Sequence, residues 1–184
     1  MSKWVEARHQ VAIAGKVTYA GTGRSIEGAS VQAAGPSAVR TRTAPDGLFY
    51  FLDLPDGRYT VRASIPGAVS RYATGKGDAE VSRDKSGRIR MATVEIGLAG
   101  TTVKGKITAP GHKAGLAMAE VRIKGSGERV FSDAQGQYVL AGIEPGNRTV
   151  LVYAQGYKPA SHPVKLKEPG AIETVNFALV PEAG

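Results

Sequence analysis

From Val11 onward apolar and polar positions alternate with a period of two. Val11, Ile13, Gly15 and Val17 fall on one side, and Ala12, Ala14 and Lys16 on the other. That is the spacing of a strand whose successive side chains point to opposite faces of a sheet. The alternation returns at Phe49/Phe51, at Tyr59/Val61/Ala63 and at Val94/Ile96/Leu98. Between these runs stand turn signals, Ala44-Pro45-Asp46-Gly47 and Pro55-Asp56-Gly57. There Pro presets φ, Asp bonds its own backbone and Gly takes positive φ. No stretch of ten or more residues keeps a helical stripe, so the pattern predicts short antiparallel strands in a sandwich.

The pattern also repeats. Gly15-Lys16-Val17-Thr18 returns as Gly105-Lys106-Ile107-Thr108 at an offset of 90, and Gly47-Leu48-Phe49-Tyr50-Phe51 as Gly136-Gln137-Tyr138-Val139-Leu140 at 89. The closing strands Val94–Leu98 and Val175–Leu179 align at 81, so the first copy carries eight extra residues between Gly67 and Val94. This predicts an arm at 1–10, one sandwich at 11–99 and a second at 100–184. Only Ala99-Gly100 lies between the closing strand of one copy and the opening strand of the next, a link too short for a flexible tether.

Each copy resembles the carboxypeptidase regulatory-like domain, a transthyretin-like, prealbumin-type β-sandwich. The first carries Gly15-Lys16-Val17, Gly28-Ala29-Ser30-Val31, Thr43-Ala44-Pro45-Asp46-Gly47-Leu48-Phe49 and Leu54-Pro55-Asp56-Gly57-Arg58-Tyr59. The second carries Gly105-Lys106-Ile107, Met118-Ala119-Glu120-Val121, Ser132-Asp133-Ala134-Gln135-Gly136-Gln137-Tyr138 and a closing Gly156-Tyr157. Gln135 stands in place of the turn Asp, Arg148 in place of a Tyr, and Ala68 where Gly-Tyr would put Tyr. The resemblance implies an all-β chain of two tandem seven-stranded Ig-like, transthyretin-like Greek-key sandwiches. It implies a docking or adhesion role and supplies no catalytic residue. A related adhesin sandwich, the Cna B-type domain, joins Lys to Asn beside a buried acid. Lys104 or Lys106 and Asn176 are placed for it, but Val150 holds the acid's position, so no such bond is expected.

Composition adds limits. Lys and Arg exceed Asp and Glu by 8, with 14 basic against 9 acidic residues up to Gly100 and 10 against 7 beyond. The charge is spread, which fits an acidic partner but shows no dense basic run for nucleic acid. There is no Cys, which excludes disulfides and thiolate metal sites. No apolar run reaches membrane-span length, and the first residues lack the pattern of a secretory signal. The expectation is synthesis in the cytoplasm, followed by incorporation into a particle or exported assembly.

Chemistry is sparse. His9, His112 and His162 stand in separate segments without metal-ligand spacing. The segments Gly21–Ser25 and Gly75–Asp78 lack a phosphate-loop pattern. No catalytic residue, metal site or cofactor is expected. The leading expectation is a non-catalytic docking or decoration subunit that binds other proteins of an assembly, a second copy or an acidic partner, for example in a contractile injection apparatus. The candidate partner-binding residues are Trp4 and Val5 on the arm, with Arg71, Lys76, Arg83, Lys85, Arg88 and Arg90 on a loop from Ser70 to Arg90. That loop, glycine-rich and charged, is expected to project as a finger. The alternative is carbohydrate binding or surface adhesion, with Tyr19, Tyr72, Tyr153 and Tyr157 as stacking platforms.

Overall fold

A computed structural model describes residues 8–67, 71–112 and 114–182. These divide into two compact units, 8–67 with 74–99, and 71–73 with 100–182.

The first unit contains β1 (Val11–Tyr19), β2 (Ser30–Ala34), β3 (Ala38–Arg42), β4 (Leu48–Leu52), β5 (Gly57–Ser64), β6 (Gly75–Arg83), β7 (Ile89–Arg90) and β8 (Ala92–Leu98). One sheet runs β4-β1-β8 and the other β3-β2-β5-β6-β7. The second unit contains β9 (Thr102–Thr108), β10 (Glu120–Ile123), β11 (Arg129–Phe131), β12 (Gln137–Ala141), β13 (Gly146–Tyr153), β14 (Ala160–Leu166), β15 (Ile172–Thr174) and β16 (Phe177–Ala178). Its sheets run β12-β9-β15, with β16 also on β9, and β11-β10-β13-β14. The all-β sandwich expected from the alternation is what forms.

Each unit has eight segments where seven strands were expected, because the closing strand is interrupted. In the first unit Met91 separates β7, paired with β6, from β8, paired parallel to β1. In the second, Asn176 lies between β15 and β16, and its side-chain oxygen accepts the Lys106 N–H at 2.8 Å. Asn176 is exposed, and the acid's position in a Lys–Asn cross-link is held by the apolar, fully buried Val150.

Between each pair of sheets lies an apolar core. Phe49, Phe51, Tyr59, Val61 and Ile96 fill the first, and Tyr138, Leu140, Val150 and Phe177 the second, all less than 8% exposed. The glycine of each opening motif has a steric cause. A Cβ at Gly105 would lie 1.8 Å from the Val175 carbonyl, and one at Gly15 would lie 2.4 Å from that of Val94. Only glycine lets the parallel closing strand approach so closely.

The segment Ser70–Arg90 corrects the sequence reading. Among its described residues there is no projecting finger. Gly75–Arg83 is β6, paired along β5 from Gly57↔Val81 to Ala63↔Gly75, and 84–88 form the turn that follows it. The glycines taken as loop signals face β8. A Cβ at Gly75 would meet Ile96 Cγ2 at 2.4 Å, and one at Gly77 would meet Val94 Cγ2 at 2.5 Å. Large residues on β8 fill the space that small ones on β6 leave.

Candidate functional site

The outer face of the five-stranded sheet gathers charge. On β2, β3, β5 and β6 the inward positions are Val31, Ala33, Val39, Tyr59, Val61, Ala63 and Ala79, packed in or against the core. The outward positions therefore present Ser30 and Gln32, Arg40 and Arg42, Arg62 and Ser64, and Lys76. Register then aligns them. Gln32 sits opposite Arg40 on one side and Arg62 on the other, and Arg62 sits opposite Lys76. The row Arg40–Gln32–Arg62–Lys76 crosses four strands, about 14 Å at the usual strand spacing. The next row along the strands is Arg42–Ser30–Ser64.

All four cations are exposed, and none has a carboxylate partner among the described residues. Like charges directly opposite across a strand pair are destabilising, so Arg62 beside Lys76 has no folding rationale. The other end of the face is different. Thr60 pairs with Asp78 and donates to it at 3.0 Å, and Arg58 pairs with Glu80. These residues, with Ala34, line an open depression of about 450 Å³.

The candidate residues read from sequence fall in several places. Trp4 and Val5 lie outside the described residues. Lys76 joins the basic row. Arg71 belongs to the second unit. Its guanidinium donates to Glu128, to Glu144 at 2.9 Å and to the Gly142 carbonyl at 3.3 Å, while its own carbonyl accepts from the Thr101 N–H. The hydrogen bonds it donates to Glu144 and Glu128 raise the Arg71 pKa above its ordinary value. Arg83 donates to Asp56 and to the Leu54 carbonyl. Both arginines are thus occupied within the fold. Lys85 and Arg88 lie in the β6–β7 turn, which the Asp84 carboxylate closes by accepting from the Ser86 hydroxyl and the Ser86 and Arg88 N–H groups. Those bonds, led by Ser86, hold Asp84 below its ordinary pKa. Arg90 lies on β7 opposite Ser82.

Arg40, Arg42 and Arg62 were missed. Their alternation, Val39-Arg40-Thr41-Arg42 and Val61-Arg62, was visible, but which cations share a row is a property of register.

A second feature is in the second unit. Cross-strand pairs set Phe131 beside Glu120 and Glu120 beside Tyr153 on one outer face. With Met118, Gln155, Tyr157 and Glu182 they line an open cleft of about 360 Å³. The Arg122 guanidinium stacks on Tyr153, 4.4 Å from the ring centre. Met118 holds a φ of 59°, where the first copy has Gly28 at 68°. Of the four tyrosines named from sequence, the fold brings Tyr153 and Tyr157 to this cleft. Tyr19 packs on the first unit's core, and Tyr72 lies against Gly100 and Gly142.

The histidines are apart. His9 bonds Asp53, His112 packs on Tyr157 and His162 on Phe177. Among the described residues no three potential ligands converge. No helix in the described residues is long and apolar enough to cross a membrane.

Two sandwiches in sequence, each closed by a parallel strand against a Gly-Lys-Val or Gly-Lys-Ile opening, define a tandem β-sandwich protein. The chain belongs to the carboxypeptidase regulatory-like domain family, whose model matches residues 12–95 and again 102–180. No curated protein matches it. Among solved structures it is similar to the shaft pilin SpaA of Lactobacillus rhamnosus GG, at 11% identity over 96% of this chain and 99% of that one, with a TM-score of 0.46. The Bacillus anthracis TIE protein shares 18% identity over 93% of this chain and 34% of that one, TM-score 0.39. A chain of a type II cohesin–X-dockerin complex from Acetivibrio cellulolyticus shares 20% over 44% of this chain and 57% of that one, TM-score 0.34. The chain thus spans about a third of the TIE protein and a little over half of the cohesin–X-dockerin chain. At such distances neither partner nor activity transfers.

Proposed function

We propose that this chain is a non-catalytic binding module of a larger assembly, and that it docks an anionic partner through the outer face of the five-stranded sheet. The observation that carries this reading is the row Arg40, Arg62 and Lys76, with Arg42 beside it, which has no carboxylate partner among the described residues. A local rule broken without compensation inside the fold is a feature of functional surfaces. The injection-apparatus setting has no support in the comparisons and forms no part of the reading. Two variants of equal net charge test it on a sulfonate cation-exchange matrix. R40Q/R42Q/R62Q/K76Q should elute at markedly lower salt than wild type, and K85Q/R88Q/K158Q/K165Q should shift much less. Equal shifts would mean that only net charge matters, and the docking face would be wrong.

A second reading, carbohydrate binding, is favoured by the cleft of Phe131, Glu120 and Tyr153. Aromatic faces on either side of a carboxylate suit a sugar ring and its hydroxyls, and Met118 keeps a strained backbone at its rim. Affinity electrophoresis in gels containing neutral glucans should show retardation that Tyr153→Ala abolishes. Unretarded wild type would remove this reading.

A further inference from the structure

We propose that the anionic partner of the basic face is a linear acidic polysaccharide lying across the strands, an inference that rests on the docking reading above. The first argument is the composition of the row. Cations arrive one per strand on β3, β5 and β6, with the Gln32 amide on β2 filling the gap. Ser30 and Ser64 stand alongside. Charge donors interleaved with neutral amide and hydroxyl groups match a polymer whose repeat carries a carboxylate or sulfate amid free hydroxyls. Arg suits this role because its planar fork binds such oxygens bidentately.

The second argument is direction. Along β5 and β6 the positive character ends within two residues, where Asp78 follows Lys76 on β6 and Glu80 lies opposite Arg58. A polyanion running along β5 or β6 would meet these carboxylates, and one running along β3 would meet only Arg40 and Arg42, whereas one running across the strands meets Arg40, Gln32, Arg62 and Lys76. The acceptable strip is therefore one row wide, with Arg42 at its margin.

The third argument is exclusion by shape. A DNA duplex, whose major groove alone is about 12 Å wide, would cover the basic and the acidic ends together and be repelled by Asp78 and Glu80. Single-stranded nucleic acid is held by bases stacked on aromatic side chains. The outward positions of β2, β3, β5 and β6 are Ser, Gln, Ala, Arg, Thr, Lys, Asp and Glu, with no ring among them. What remains is a narrow polyanion without bases.

Binding of the full chain to polygalacturonate, dextran sulfate, poly-L-glutamate, oligo-dT and a short DNA duplex, measured by calorimetry at low salt, tests the assignment. Polygalacturonate or dextran sulfate should bind about tenfold tighter per polymer charge than the other three, a gap near 1.4 kcal/mol. R40Q/R62Q/K76Q, checked for an unchanged melting temperature, should weaken that binding by about tenfold or more. D78N/E80Q should raise duplex binding while leaving the polysaccharides nearly unchanged. If the duplex, oligo-dT or polyglutamate binds as tightly as the polysaccharides and is equally sensitive to R40Q/R62Q/K76Q, the polysaccharide assignment is overturned and the docking face stands. If no polymer shows variant-sensitive binding, both fall.

Discussion

A single buried hydroxyl organises each sandwich. Thr43, 5% exposed, accepts the Ala29 N–H at 2.9 Å and donates to the Ile26 carbonyl at 2.5 Å. Ser132 does the same for the Ala119 N–H and the Leu116 carbonyl. Thr43→Val keeps the shape but leaves two buried backbone groups unpaired, so urea unfolding should show a loss of about 1–3 kcal/mol. Thr43→Ser should be nearly neutral, since the second copy already uses serine. The sequence displayed this Thr in its motif without showing what it bonds. It misled at Gln135, taken as replacing the turn Asp. The Asp133 carboxylate accepts the Gln137 N–H at 2.7 Å, as Asp46 accepts that of Leu48. The turn keeps its carboxylate, supplied by Asp133. Tyr138 carries a pH consequence. Burial pushes its phenol well above its ordinary value, and its O–H donates to the Val175 carbonyl at 2.6 Å. A folded pKa above the unfolded one means stability fully present below about pH 10 and lost as pH rises further. Tyr138→Phe should lower the neutral-pH melting temperature yet make its decline above about pH 10 shallower. Parallel alkaline curves would show that this phenol does not carry the effect.

At the scale of elements, strands with clean alternation were readable, and β6 was not. Lys76, Asp78 and Glu80 point to solvent, and the inward positions begin with Gly75 and Gly77. The strand therefore offers no apolar side until Ala79. Its burial partner is Val94, Ile96 and Leu98 on β8, and a linear pattern does not reveal such complementarity. The eight extra residues divide accordingly. The offset between copies is 89 at Tyr59/Arg148, 85 at Ala79/Val164 and 81 at Val94/Val175. Four precede the middle of β6 and four follow it, the latter making the β6–β7 turn. Gly77→Ala separates strand from loop. An exposed loop glycine replaced by alanine gains stability through the unfolded chain, about 0.4–1 kcal/mol. In β6 the new Cβ meets Val94 at 2.5 Å, and overpacking of this kind costs about 1–3 kcal/mol. Denaturant titration should show the loss, and a gain would contradict β6 as a packed strand.

Across the whole molecule, an excess of 8 basic residues suggested an acidic partner without a place for it. Repeat, family and core came from residues in a linear order; the binding face depends on which strand lies beside which, and local sequence does not encode that. Arg40 and Lys76 are 36 positions apart yet stand in one row. Net charge and local row affect different kinetic steps. Long-range attraction to a polyanion acts before contact and follows total charge, so it governs association. Direct pairing with Arg40, Arg62 and Lys76 exists only after contact and governs dissociation. R40Q/R62Q/K76Q and K85Q/R88Q/K165Q remove the same three charges. On immobilised dextran sulfate at low salt, association should slow by similar factors in both. Dissociation should accelerate by about tenfold or more in the first alone. At about 0.15 M salt, where screening reaches only ~8 Å, the association differences should shrink while the dissociation difference persists. Equal acceleration of dissociation in the two variants would show that the polyanion binds a diffuse basic surface rather than this row.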